Sequence, residues 1–412
     1  NSMFDGEVVT SINDDGDKEY GGLLILKHKV EDFEFYTLYG HNKVRSVLKN
    51  KIGAKIKKGD VIAEIANYPE NGNWAPHLHF QIMLSTLNYK IDFPGVCYFN
   101  QIDVWKGLCP NPNFLFKSVD LNYTNDKSDD ELINYRKKHL GKSLKLHYEE
   151  PINIVRGEGV YLISKNGRKY LDTINNVAHV GHENESVVIE GQNQMSILNT
   201  NSRYLHKSIN ELAEEIIQTL PEKLNVIHFV NSGSEANELA VRMMKSHTGS
   251  NDIIVSENGY HGNTNICVDI SSYKFDGKGG KGAPENTHVI PMPTKFNGKY
   301  KGEEACEGYI SEIKNSIKNL KSKNRDLGGF IIEPIISCGG QVELPDGFLK
   351  TAYDLIRENG GICISDEVQV GCGRLGESFW GFELHDVIPD IITIGKPLGN
   401  GHPIGAVVCT SE

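Results

Sequence analysis

A polar stretch from Asp120 to Asp130 separates two regions of different texture, and that change limits the fold more than any other feature of the chain. Before it, short apolar runs such as Gly22–Leu26 and Phe35–Tyr39 alternate with turn-formers, among them Asn13-Asp14-Asp15-Gly16 and Lys57-Lys58-Gly59-Asp60. That pattern predicts a β-rich region. After it, helical segments at Ile209–Leu220 and Glu235–His247 alternate with short apolar strands at Asp252–Val255, Phe330–Ile332 and Ile362–Ser365. Such alternation predicts an α/β layer around a largely parallel sheet. The 412 residues are also too many for one ordinary domain. The expectation is an all-β domain over 1–118, a linker over 119–128 and an α/β domain over 129–412.

Composition narrows the function classes. Apolar residues make up 39% and charged residues 24%, which suits a chain that buries a sizeable core. No apolar run approaches the roughly 18 residues of a membrane span. The net charge of -11, without a dense Lys/Arg block, argues against a nucleic-acid partner. The eight cysteines form no Cys-x-x-Cys pair, so they read as reduced, mostly buried thiols in a cytoplasmic protein.

Two histidines mark the first region. In Pro76-His77-Leu78-His79-Phe80-Gln81 a strand would turn His77 and His79 to one face. Imidazoles spaced that way serve zinc sites, and they also occur as plain polar residues on a solvated sheet face. With Tyr39-Gly40-His41 upstream and Gly53–Ala63 between, the segment from Asp5 to Met83 resembles the lysostaphin-type zinc endopeptidases. The resemblance implies that His79 is a zinc ligand. His41 and His77 would act beside the metal as general base or oxyanion groups. The family's other two ligands, in a His-x-x-x-Asp arrangement, are expected ahead of Asn1. One protein ligand cannot hold a catalytic zinc, so a binding module is an equal reading of this domain.

The chemistry of the second region lies at strand ends. Asn231-Ser232-Gly233-Ser234-Glu235-Ala236-Asn237 follows the apolar strand Val226–Val230 and opens a helix. Such a turn suits a phosphate, and it is also an ordinary helix cap. Gly361–Ser365 is an apolar strand that ends on Asp366-Glu367, with Gln369 just after. A carboxylate there could hold a pyridinium N–H. Asp390–Gly395 delivers Lys396 at another strand end, where it is either a nucleophilic amine or a surface cation. Tyr260-His261-Gly262 offers an aromatic face that is equally a core tyrosine.

Taken in order, these segments with Glu333-Pro334 resemble the class III aminotransferase family of fold-type I pyridoxal-phosphate enzymes, from about Asp129 to the end. By that resemblance Lys396 would hold pyridoxal 5'-phosphate covalently and Asp366 would pair with its ring nitrogen. Gln369 would approach the ring hydroxyl, Tyr260 would stack on the ring, and Gly233 and Ser234 would bind the phosphate. His261 and Glu333 would line the site. Asn175–His182, Leu198–Tyr204 and Gly395–Pro403 look like the phospho-lyase branch, which acts on ethanolamine phosphate or phosphohydroxylysine. One departure is Cys372, where the family usually carries Phe. The implied function is elimination of phosphate from a small phosphorylated amine. An ω-amino transaminase and a non-catalytic fused binding protein are the alternatives. The resemblance further implies a homodimer, and the expectation is that the chain continues at both ends. Arg203 and His206 are candidate donors to a departing phosphate.

Overall fold

The structure is a computed structural model that describes residues 1–412 except Asn88, Lys90, Asp92, Phe99, Asn100, residues 117–126, Asn166 and Glu412. Most of the expected linker therefore lies outside the described residues. Contacts group the chain into two compact units, Asn1–Thr173 and Ile174–Glu412. Residues 129–173, assigned above to the second domain, group with the first unit.

In the first unit, β1 (Gly6–Asp14), β2 (Gly21–Val30), β3 (Phe33–Asn42), β4 (Lys55–Ile56) and β5 (His79–Met83) form one sheet in the order β4-β1-β2-β3-β5. Every pairing in it is antiparallel. Alternation along β2 sends Leu23 and Ile25 into one apolar cluster with Leu38, Met83 and Phe93. Leu24 and Leu26 go to the other face with Val8, Tyr39 and Val47. Both faces of the central strand are thus covered. A small antiparallel sheet follows, made of β6 (Ile154–Glu158), β7 (Tyr161–Ser164) and β8 (Lys169–Leu171).

The second unit is built on β9 (Val226–Val230), β10 (Asp252–Ser256), β11 (Thr287–Ile290), β12 (Leu327–Ile332), a hairpin of β13 (Ile335–Ile336) and β14 (Val342–Glu343), β15 (Ile362–Asp366), β16 (Ile391–Ile394) and β17 (Gly405–Cys409). Seven of these make one sheet in the order β11-β10-β12-β15-β16-β17-β9. The pairs from β11 through to β16 are parallel. β17 is antiparallel to both its neighbours, so β9 runs the same way as β16. Six strands therefore end on one edge.

Helices cover both faces, which explains why β12 and β17 are buried at every residue. On one face Ala236, Ala240, Val241 and Met244 of the helix Gly233–Thr248 pack on Ile253, Val255, Ile331, Ile364 and Val407. On the other, Tyr309, Ile313 and Leu320 of Ala305–Ser322, with Phe348, Ala352 and Ile356 of Phe348–Glu358, pack on Ile254, Phe330 and Ile332. Residues one apart in a strand go to opposite clusters, as a period of two requires.

Among the described residues no helix is long and apolar enough to cross a membrane. All eight cysteines are free thiols; Cys97 and Cys338 are exposed and only Cys267, Cys363 and Cys409 are buried.

Candidate active site

The shared edge of the parallel strands is where an open α/β sheet places ligands, and the chemistry-bearing residues gather there. A cavity of about 140 Å³ is lined by Gly233, Ser234, Tyr260, His261, Glu333, Asp366, Gln369 and Lys396, together with Ser232, Asn237, Gly262, Ser337 and Val368. All eight residues given a cofactor-site role in the second region line this one cavity.

The turn after β9 supplies its floor. Ser232 caps the helix, its Oγ accepting from the Glu235 N–H at 3.1 Å. The first N–H groups of a helix have no partner within it, so this turn presents donors and a positive dipole end. Crowding by a stiff β-branched side chain explains the glycine: a Cβ on Gly233 would lie 2.6 Å from Cγ1 of Val368. At Gly262 φ is +130°, and a Cβ there would lie 2.6 Å from Oγ of Ser234. That serine hydroxyl in turn accepts from the Asn263 N–H at 3.1 Å. The cradle is closed to larger side chains and open to a small oxyanion.

Asp366 ends β15 and is 2% exposed. Its Oδ2 accepts from Nδ2 of Asn237 at 2.8 Å and contacts Nδ1 of His261 at 2.8 Å, while Oδ1 accepts from the Val368 N–H at 3.1 Å. Glu333, just past β12, is equally buried and accepts from the N–H of Tyr260 and from the N–H and hydroxyl of Ser337. Burial, and then the nearby Asp366, hold its carboxyl above the ordinary carboxylate range. Tyr260 is half-buried, meets Tyr273 edge-on at 5.7 Å, and has its hydroxyl pKa raised by burial.

Lys396 follows β16 with φ at +30°, an unusual backbone for a side chain. Its Nζ donates to Oε1 of Gln369 at 2.5 Å, and that oxygen also accepts from Nδ2 of Asn176 at 3.1 Å. An amine, a carboxylate and an oxyanion cradle therefore face one space. Two buried polar atoms beside it, Nε2 of His261 and Oδ1 of Asn237, have no hydrogen-bond partner among the described residues. This donor set fits pyridoxal phosphate: a cradle for its phosphate, Asp366 for its ring nitrogen and Lys396 for its aldehyde.

Sequence reading passed over Asn237, Ser337 and the contact role of Asn176. A signal existed for the first, since Asn237 sits on the same helix stripe as Ala236, Ala240 and Met244 and is 1% exposed. Arg203 and His206 are not among the lining residues. His206 instead caps the helix Lys207–Gln218, its Nδ1 accepting from the Ser208 N–H at 3.3 Å. Cys372 lies at φ +59° and packs with the cluster of Trp380 and Phe382.

In the first unit the histidines do come together. The His41 ring lies 4.4 Å from that of His77 and 5.7 Å from that of His79. The strand begins at His79, opposite Gly40, so His77 is an exposed residue ahead of it and not within it. Nδ1 of His41 is bonded to the Asn71 carbonyl and Nε2 of His79 to Oε1 of Gln81. No group of three or more His, Cys, Asp or Glu that could hold a metal occurs among the described residues. The residues described here do not fit a catalytic zinc.

Comparison with known proteins agrees with both regions. Residues 145–412 match the family model for Aminotransferase class-III, and residues 1–91 match that for Peptidase family M23. An alanine–glyoxylate aminotransferase 2-like protein of Drosophila melanogaster is 42% identical over 73% of this chain and 62% of its own length. Ethanolamine-phosphate phospho-lyase homolog 1 of Caenorhabditis elegans is 35% identical over 69% of this chain and 64% of its own. The solved structure of a phospholyase from Arthrobacter, in complex with phosphoethanolamine, superposes with a TM-score of 0.64 at 35% identity, covering 68% of this chain and 66% of that one. The chain thus spans less than two thirds of the curated relatives' length. It belongs to the class-III aminotransferase family, with a first stretch that matches the peptidase family M23.

Proposed function

We propose that the 129–412 region is the pyridoxal-phosphate-binding part of a phospho-lyase, which eliminates phosphate from a small phosphorylated amine such as ethanolamine phosphate. The observation that carries the reading is the convergence of Lys396, Asp366 and the Ser232–Ser234 turn on one cavity. The phospholyase structure, at 35% identity and bound to phosphoethanolamine, favours this substrate class.

Pyridoxal phosphate, when bound, supplies a ring that accepts electrons from a carbon bearing nitrogen. The residues of the chain do the rest. The helix N-terminus at Gly233–Ser234 anchors an oxyanion. Asp366 would pair with the ring nitrogen and favour its protonated form. Tyr260 covers one side of the cavity and limits water. Lys396 would hold the cofactor's aldehyde and, as a free amine, would accept the proton from the substrate carbon that bears nitrogen. Gln369 holds Nζ in reach through its 2.5 Å hydrogen bond. When a phosphate sits on the adjacent carbon it leaves with the electron pair, and hydrolysis yields aldehyde and ammonia. A substrate without a leaving group would instead be directed to amine transfer, with Lys396 as the proton carrier.

That second outcome, an ω-amino transaminase, is favoured by the 42% identity to the alanine–glyoxylate aminotransferase 2-like relative. The protein is proposed to act as a homodimer in the cytoplasm, where its eight cysteines stay as thiols. The test is a paired assay of the full-length protein with pyridoxal phosphate and ethanolamine phosphate. Phosphate release that Lys396→Ala abolishes is the expected result. Keto-acid-dependent amine transfer without phosphate release would replace the lyase reading with the transaminase. Neither activity would leave a binding protein.

A further inference from the structure

We propose that Asn237 is a positioning residue that fixes Asp366 for the ring nitrogen of the cofactor; this rests on the pyridoxal-phosphate reading above. Asn237 lies in the second turn of the helix Gly233–Thr248, whose start forms the phosphate cradle. It is 1% exposed and is the one polar side chain on a stripe otherwise made of Ala236, Ala240, Val241 and Met244 among that helix's buried residues. A buried amide on an apolar helix face costs free energy unless its hydrogen bonds are made.

Both donors of this amide are used. Nδ2 donates to the His261 carbonyl at 2.8 Å and to Oδ2 of Asp366 at 2.8 Å. The partners fix the amide's orientation, because a flipped group would set its own oxygen against two acceptors. Asp366 lies 129 residues away, at the end of β15, and His261 lies on the loop after β10. Asn237 therefore ties three elements together at the point where the carboxylate enters the cavity.

The same oxygen of Asp366 meets Nδ1 of His261 at 2.8 Å. A carboxylate partner places a proton on Nδ1, while Nε2 is buried without a hydrogen-bond partner among the described residues. Two donors on Oδ2 and the Val368 N–H on Oδ1 leave the carboxylate no free rotation. Of the two on Oδ2, the amide reaches from the helix that also carries the phosphate cradle. The distance between phosphate site and ring-nitrogen site is thus set within one rigid helix, through Asn237. That is how a small cofactor can be gripped at both ends without adjustment.

The test uses the full-length protein and pyridoxal 5'-phosphate alone. Asn237→Leu keeps the branched shape and removes the donors; Asn237→Ala removes both and serves where the bulkier leucine variant does not fold. The readouts are the dissociation constant of the cofactor, by equilibrium dialysis, and the pH midpoint of its visible absorbance when bound. Loss of a hydrogen bond to a charged group predicts about tenfold weaker binding or more. It also predicts an upward midpoint shift of about one unit, because a positive charge weakened on the ring makes the lysine-linked nitrogen easier to protonate. A packing role would spare the leucine variant and move neither variant's midpoint. Wild-type affinity and midpoint in a folded variant would overturn the proposal. A wild-type protein that binds no cofactor would instead overturn the pyridoxal-phosphate reading on which it stands.

Discussion

Lys396 and Gln369, 27 residues apart, meet end to end in a 2.5 Å hydrogen bond whose acceptor also receives Nδ2 of Asn176. The amine is thereby directed by two residues that lie on separate loops. Replacing Gln369 with Leu removes the acceptor that holds Nζ and frees the lysine to swing. We expect a fall in kcat of about tenfold to a hundredfold with a smaller change in KM, since a misplaced proton-transfer group costs mainly at the transition state. Steady-state phosphate release by the full-length protein measures it.

Gly262 permits a close approach that no other residue can. A methyl group added there meets Oγ of Ser234 at 2.6 Å and its Cα at 2.9 Å, on a backbone with φ at +130°. Gly262→Ala is expected to cost about 1–3 kcal/mol of stability. The cradle should open with it, so cofactor affinity falls as well. Thermal unfolding and a cofactor titration of the same variant test both effects.

Glu367, next to Asp366, is fully buried and accepts from the N–H groups of Gly381 and Phe382 and from the Ser365 hydroxyl. Burial pushes its carboxyl up from 4.5 to about 7, against the opposing pull of those donors. The folded state thus binds a proton between these values that the unfolded chain has released. Its contribution is full below about pH 4.5 and is lost as the pH rises through about 7. The whole effect is on the order of 3 kcal/mol. Glu367→Gln should flatten the decline in unfolding free energy between pH 5 and 8, leaving the part due to Glu333, whose shift has the same sign. Urea denaturation at several pH values reads the slope directly.

At the opposite edge of the sheet, Asp252 is held by Arg325 at 2.7 and 2.9 Å and by His288 at 2.6 Å. Arg325→Leu would strand a nearly buried carboxylate with one remaining partner. Because the arginine side chain is itself 25% exposed, the expected loss is about 2–4 kcal/mol, at or below the range for a buried pair. Cofactor affinity should not change, since the strands' other ends build the site. A double-mutant cycle with Asp252→Asn checks the coupling.

Several of these residues were legible in the sequence because their signals are local. The stripe Ala236, Ala240 and Met244 reports a helix, and the run Ile362–Ser365 reports a covered strand, from spacing alone. A small-residue turn before a helix, a carboxylate after one apolar run and a lysine after another likewise need only near neighbours. The start of the β5 strand was less legible. His77-Leu78-His79 alternates correctly, yet pairing with β3 begins only where Gly40 offers a partner to His79.

What the chain's residues determined unaided were the elements and the kind of chemistry each strand end carries, because periodicity and turn composition act over a few residues. The order of the sheet was decided only by the tertiary structure. It is sheet order, with β17 reversed between β16 and β9, that brings those strand ends to one edge. The partners of Asp366 are 129 and 105 residues away, and Asn176 reaches Gln369 across 193. Such contacts depend on which strands lie side by side, and local patterns carry no record of that. A buried Asn on an apolar helix face is therefore visible in a sequence as an oddity, while its use is visible only when the carboxylate it holds has been folded against it.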